Sequence, residues 1–227
     1  MFLDDIVNIA SQSIFRYEEA LAYLHSRKIS DEVIKEYRLG FNKIVSVPQD
    51  NHSERSRFLD ESFRGRKYEN RLLLPITDVF NRVVGLSGRS IGTKDFKTFV
   101  LSQYKENGYF FGLPQAISHI YSSGRVFVVE GYFDVFALRI LCPNTVSSLT
   151  STLSDVQYEY LSYYCDDIIV MLDADKAGRF GMHKVEEKFK VKTIDIGYED
   201  PAKCYEKLSL ADYKKYMTKK IRDNVLL

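Results

Sequence analysis

Apolar residues along this chain follow two rhythms. Between Tyr17 and Leu39, Leu21, Leu24, Ile29, Val33, Ile34 and Tyr37 recur at helical spacing, with an interruption near Ser30. A helix that buries one stripe repeats its apolar positions about every 3.6 residues. Ser30 can accept a first-turn amide, so the segment predicts a helical hairpin with Ser30 as the second N-cap. The polar stretch from Pro48 to Ser62 predicts an exposed loop. LLLPI (72–76) and VVGLSG (83–88), joined through Asp78 and Asn81, predict two strands in a hairpin. Pro75 has no N–H for a ladder, which predicts an edge strand or a bulge. The chain to about Gly124 is irregular and aromatic-rich. There Tyr104, Tyr109, Phe110 and Phe111 pack a core or, alternatively, offer stacking surfaces to single-stranded bases.

From Arg125 the second rhythm begins. VFVV, TVSSL, IIVML and VKTIDI alternate with helical stretches at 132–141, 154–164 and 177–189. Short apolar strands separated by helices of this length predict right-handed βαβ units and a parallel sheet covered on both faces. The predicted fold class is therefore α/β, or α+β for the whole chain. A smaller mixed α+β region occupies residues 1–124, a parallel-sheet domain 125–208, and a short basic helix 209–227.

Ligands of open α/β sheets gather beyond the carboxyl ends of the strands, and here those ends are acidic. VFVV runs into Glu130, IIVML into Asp173 and Asp175, and VKTIDI into Glu199 and Asp200. A carboxylate placed directly after a buried strand must be solvated, hydrogen-bonded or neutralised by a cation. Converging carboxylates suit magnesium, which takes hard oxygen ligands and shares its waters with phosphates. Asp173 and Asp175 project to one side of an extended chain, so both can act on one ion or a pair. Asp134, four residues after Glu130, reads by itself as a first-turn acid favoured by the helix dipole.

Composition narrows the picture further. The chain has 227 residues, 45% hydrophobic and 28% charged, ordinary values for a globular protein. Its net charge of +1 hides an asymmetry, because Ser62–Lys105 holds nine Lys or Arg against three acids, a balance of +6 that leaves −5 elsewhere. Such a basic segment is either a solvated face or a polyanion surface. Cys142, Cys165 and Cys204 form no C-x-x-C pair, and His25, His52, His119 and His183 lie at no ligand spacing, so no zinc is expected in this chain. The N-terminus lacks the basic residues of a signal peptide and no apolar run is long enough to span a membrane. A soluble protein of the cytoplasm is expected.

EGYFDVFAL (130–138) and LDADKAG (172–178) resemble the two signature motifs of the TOPRIM domain, at that family's separation. Upstream, ENRLLLPITDVFNRVVGLSGRSIG (69–92) and ALAYLHSRKISDEVIKEYRLGF (20–41) are similar to segments of bacterial-type, DnaG-like primases. The resemblance runs from Tyr17 to Leu208 and implies a TOPRIM domain preceded by a primase-type subdomain. It further implies that Glu130 lies against the metal and accepts the proton of an attacking 3′-hydroxyl. Asp173 and Asp175 then bind magnesium, for which manganese can substitute, with Asp134 and Asp200 completing the acidic set. Arg71, Arg89, Lys97 and Lys105 hold template phosphates or the triphosphate of the incoming nucleotide; the two lysines are alternatively plain surface.

This chain departs from the family pattern at Asp200-Pro201-Ala202, where the family has Asp-Pro-Asp, and Glu199 is the candidate replacement. The resemblance implies synthesis of RNA primers from nucleoside triphosphates on single-stranded DNA in a bacterial or phage-infected cell. The implied partners are a replicative helicase, a separate zinc-binding template-recognition protein, or both, and no membrane. Two alternatives share the acids: a TOPRIM nuclease with water as nucleophile, and a degenerate TOPRIM protein that only binds single strands.

Overall fold

The computed structural model describes residues 2–42, 70–92, 98–101 and 108–225. They fall into two compact units, Met1–Ile76 with Arg82–Ser102 and Thr77–Asn81 with Gln103–Leu227.

The first unit opens with α1 (Phe2–Ser13), which sequence reading did not anticipate although the signal is present. Ile6, Val7, Ala10 and, just beyond it, Ile14 are buried at helical spacing. The anticipated hairpin follows as α2 (Glu18–Ser26) and α3 (Asp31–Glu36), burying Ala20, Leu24 and Ile34. Ser30 occupies the N-cap of α3 with extended backbone, but its side chain makes no capping hydrogen bond. The sheet is β1 (Gly40–Asn42), β2 (Arg71–Thr77), β3 (Val83–Ser90) and β4 (Thr98–Leu101), hydrogen-bonded in that order. Thus β2 is an interior strand and not the edge that Pro75 suggested. The antiparallel pairing with β1 ends at Gly40↔Leu73, so Pro75 lies beyond the last β1 partner, where its missing N–H leaves that ladder intact.

The second unit holds α4 (Leu113–Ser123), β5 (Arg125–Val129), α5 (Tyr132–Leu138), β6 (Thr145–Ser147), α6 (Asp155–Ser162), β7 (Asp167–Met171), α7 (Lys176–Lys188), β8 (Lys192–Thr193), α8 (Pro201–Lys207) and α9 (Leu210–Val225). All pairings in its sheet, ordered β6-β5-β7-β8, are parallel. Val126 and Val128 of β5 and Ile168 and Val170 of β7 pack on one face against Leu113, Ala116 and Ile120 of α4 and Met182 and Val185 of α7. Alternate residues point to the other face, and α5 is buried along its whole length.

Phe110 is part of this core and Phe111 is buried beside Tyr132 and Phe136, so both aromatics pack rather than stack on a ligand. Two more short helices escaped sequence reading. One is α4, introduced by Gly112 and Pro114 and closed by Gly124 at φ +63. The other is α8, introduced by Asp200 and Pro201. Conversely, VKTIDI contributes only a two-residue strand; Ile194 still donates to the Val170 carbonyl, at 3.0 Å, before the chain leaves the sheet. Among the described residues no helix is long and apolar enough to cross a membrane.

Candidate active site

The chain leaves β5 toward β6 on one side, then crosses to β7 and β8 on the other. Connections therefore diverge at the β5–β7 boundary, the place where an open α/β sheet forms its crevice. Val129 and Met171 are paired across that boundary, so Glu130 and Asp173 leave adjacent strands at nearly the same level. Glu130 Oε2 and Asp173 Oδ1 are both buried with no hydrogen-bond partner among the described residues. A buried oxygen of this kind costs about 1–3 kcal/mol, and more when charged, unless a proton or a cation reaches it.

The electrostatics agree. Burial pushes the Asp173 carboxyl up to about 7, reinforced by the negative charges of Glu130, Asp200, Asp175 and Glu199. Glu130 is raised mainly by burial, the backbone N–H of Asp173 pulls it down, and Asp175 and Asp200 push it up again. The charges of Glu130, Asp175, Glu199 and Asp200 thus all act on Asp173, although no three acid, His or Cys side chains among the described residues converge tightly enough to hold an ion as they stand.

Local structure explains how they come together. Asp175 is the N-cap of α7, its Oδ1 accepting the Gly178 N–H at 2.8 Å. Gly178 is required by contact: a Cβ there would lie 1.9 Å from the carbonyl oxygen of Asp173. Ala174 donates to the Glu199 carbonyl at 2.7 Å, pinning the acidic loop to the chain ahead of α8. Asp200 caps α8 through the Lys203 N–H.

Asp134 is buried, and its oxygens accept the N–H of Gly131 and the N–H of Ala202, both at 3.0 Å. It ties the start of α5 to the start of α8, while burial and Asp200 raise its carboxyl well above the usual range. Sequence reading missed Ser147, whose hydroxyl donates to the Glu130 carbonyl at 2.7 Å and accepts the Leu149 N–H at 3.0 Å. Leu149 is itself held at φ +61, outside the range that an L residue prefers. No motif signals this contact, because it depends on β6 lying beside β5.

Comparison with known proteins matches both halves of the chain. Residues 127–203 fit the family model described as Toprim-like, and residues 10–116 the one described as DNA primase catalytic core, N-terminal domain. The chain belongs to the bacterial DnaG-type primase family. The DNA primase of Rickettsia prowazekii is 32% identical over 202 residues, which cover 77% of this chain and 33% of that one. The chain spans about a third of the length of the curated primases it matches. Its fold is that of the DnaG catalytic core, with a TM-score of 0.82 at 23% identity over 96% of this chain and 78% of the other. A DnaG primase catalytic domain bound to ssDNA aligns with a TM-score of 0.80 at 24% identity, covering 96% of this chain and 79% of the other.

The Toprim domain of primases is generally metal-dependent. The paired orphan oxygens of Glu130 and Asp173 fit such an ion, whereas both Asp134 oxygens are already engaged by backbone amides.

Of the predicted basic residues, Arg71 and Arg89 belong to the first unit. Arg71 starts β2, is buried, and reaches the Gly88 carbonyl at 3.5 Å, next to the Arg89 backbone. Arg89 on β3 is half-buried, its Nε donating to the Tyr23 hydroxyl of α2 at 3.1 Å. Lys97, Lys105 and Tyr104 lie outside the described residues.

Proposed function

We propose that this chain is the polymerising core of a DNA primase, joining ribonucleotides on single-stranded DNA during replication. The observation that carries the reading is the pair of unpartnered carboxylate oxygens of Glu130 and Asp173, side by side at the switch point of the parallel sheet. In the reaction the 3′-hydroxyl oxygen of the growing strand bonds to the α-phosphorus of the incoming triphosphate. The bond to pyrophosphate breaks and the hydroxyl proton leaves.

Glu130, Asp173 and Asp175 are assigned the ion, magnesium with manganese as substitute, and Asp200 with Glu199 adds negative charge at its margin. When bound, such an ion neutralises phosphate charge and favours the ionised hydroxyl. Glu130 is assigned the proton, a role supported by the way burial raises its basicity. Asp134 is a positioning residue that keeps Asp200 near Glu130. Arg71, Arg89, Lys97 and Lys105 are assigned to template or triphosphate phosphates, where a guanidinium offers paired donors. We place the chain in the cytoplasm of a bacterial or phage-infected cell, working with a replicative helicase, a zinc-binding template-recognition protein, or both.

The test is extension of a labelled oligoribonucleotide annealed to a DNA template, with nucleoside triphosphates and magnesium or manganese. Wild type is expected to lengthen it and Asp173→Asn to be slower by about 10³-fold, equivalent to ~4 kcal/mol of barrier. Metal-dependent shortening without extension would identify a nuclease instead.

A further inference from the structure

Helix α7 begins immediately after the acidic loop, with Asp175 as its N-cap. Its inner stripe is Gly178, Gly181, Met182 and Val185. The outer stripe is unlike an ordinary solvated face: Lys176, Arg179, Phe180, His183 and Lys184 recur at spacings of three and four and are all exposed. Phe180 is 62% exposed in the middle of it. Lys184 Nζ stands over the ring at 4.4 Å from its centroid, holding a cation beside an aromatic surface. Among the described residues Arg179 has only a loose ion pair, 3.8 Å to the exposed Asp195, and His183 approaches Glu187 at 3.6 Å. The cations therefore remain available to another polyanion.

Position gives this face its occupant. Lys176 to Lys184 spans about 12 Å along the helix axis, at ~1.5 Å per residue, which is the scale of a few nucleotides. Phosphates suit Lys176, Arg179 and Lys184, and a planar, sequence-tolerant surface suits an unpaired base. Behind the growing end the bases are paired and stacked, so a protein ring has no free base face to meet. Ahead of it the template is single-stranded. Resting on the primase reading above, we infer that the outer face of α7 carries the single-stranded DNA template ahead of the growing end, one base stacking on Phe180 and its phosphates meeting Lys176 and Lys184.

The experiment uses the full chain, Phe180→Ala, Phe180→Trp, and Lys176→Gln combined with Lys184→Gln, all with exposed side chains whose loss leaves the core intact. Affinity for a labelled oligothymidylate is measured over a range of salt. Phe180→Ala is expected to bind roughly tenfold more weakly and Phe180→Trp about as well as wild type. The double lysine variant should lower the salt slope by about 1.4, two phosphates at ~0.7 each. Primer extension is then compared on templates whose 5′ overhang is one nucleotide or ten. Phe180→Ala should raise KM for the long overhang alone and leave kcat and the short overhang unchanged.

Unchanged oligothymidylate affinity in Phe180→Ala and the lysine variant overturns the inference, and so does a defect of equal size on both templates. If wild type extends neither template but Phe180→Ala still weakens binding, the polymerase reading falls while the strand-binding face stands.

Discussion

With its carboxyl pushed up to about 7, Asp173 keeps a proton in the folded chain over a range in which the unfolded chain has lost it. The folded state then binds more protons, so this group favours folding below its ordinary value near 3.8 and loses that contribution as pH rises through 7. Without divalent metal, the melting temperature of wild type is expected to fall relative to Asp173→Asn between pH 5 and pH 8. Added manganese should raise it more at pH 8 than at pH 5, since a proton and a cation compete for the same oxygens. A difference between the two proteins that does not change with pH would remove Asp173 from the charged cluster. Gly178 makes a second residue-scale point. In Gly178→Ala the new methyl would meet backbone and not a flexible side chain, forcing the Asp173 loop to move. A loss of about 1–3 kcal/mol in urea melts is expected, together with weaker manganese binding by calorimetry.

Among the elements, α6 shows what can be altered away from the site. Ser154 accepts the Gln157 N–H at 3.1 Å, and the Gln157 side chain accepts the Ser154 N–H at 3.2 Å, a reciprocal capping box. Gln157 also donates to the carbonyls of Tyr109 and Ser148, at 3.1 and 3.4 Å, bridging α6 to the chain before α4 and to the loop after β6. Ser154→Ala should cost ~1 kcal/mol of stability and leave extension by the intact sites unchanged, measured by thermal melts alongside the primer assay. Asp134→Asn is expected to behave differently, because an amide nitrogen would face one of the two N–H groups that its carboxylate now accepts. Losing that bond costs about 1–3 kcal/mol and loosens α8, so extension should fall along with stability.

For the molecule as a whole, the +6 carried by Ser62–Lys105 against −5 elsewhere is expected to make binding of single strands strongly salt-dependent if that segment contacts phosphates. The logarithm of affinity should fall with the logarithm of salt at about 0.7 per phosphate contacted; a flat titration would exclude that basic segment from the interface.

The residue pattern alone established the helical hairpin around Ser30, the alternation that makes a parallel sheet after Arg125, and the acids at the ends of β5 and β7, because periodicity and strand-end chemistry are local; Glu199 and Asp200 instead follow a strand that stops at Thr193. It could not establish strand order, so of the two readings of Pro75, an edge strand or a bulge, the structure corrects the edge: edge and interior are properties of neighbours. Short helices such as α4 and α8 were missed because an apolar stripe of two or three turns is hardly distinguishable from irregular chain. Only the tertiary structure decided that β5 and β7 are adjacent, leaving Glu130 and Asp173 with unpartnered oxygens, and that Asp134 is occupied by two backbone amides. Those are consequences of segments far apart in the chain packing together, where burial, not residue type, sets how each carboxylate behaves.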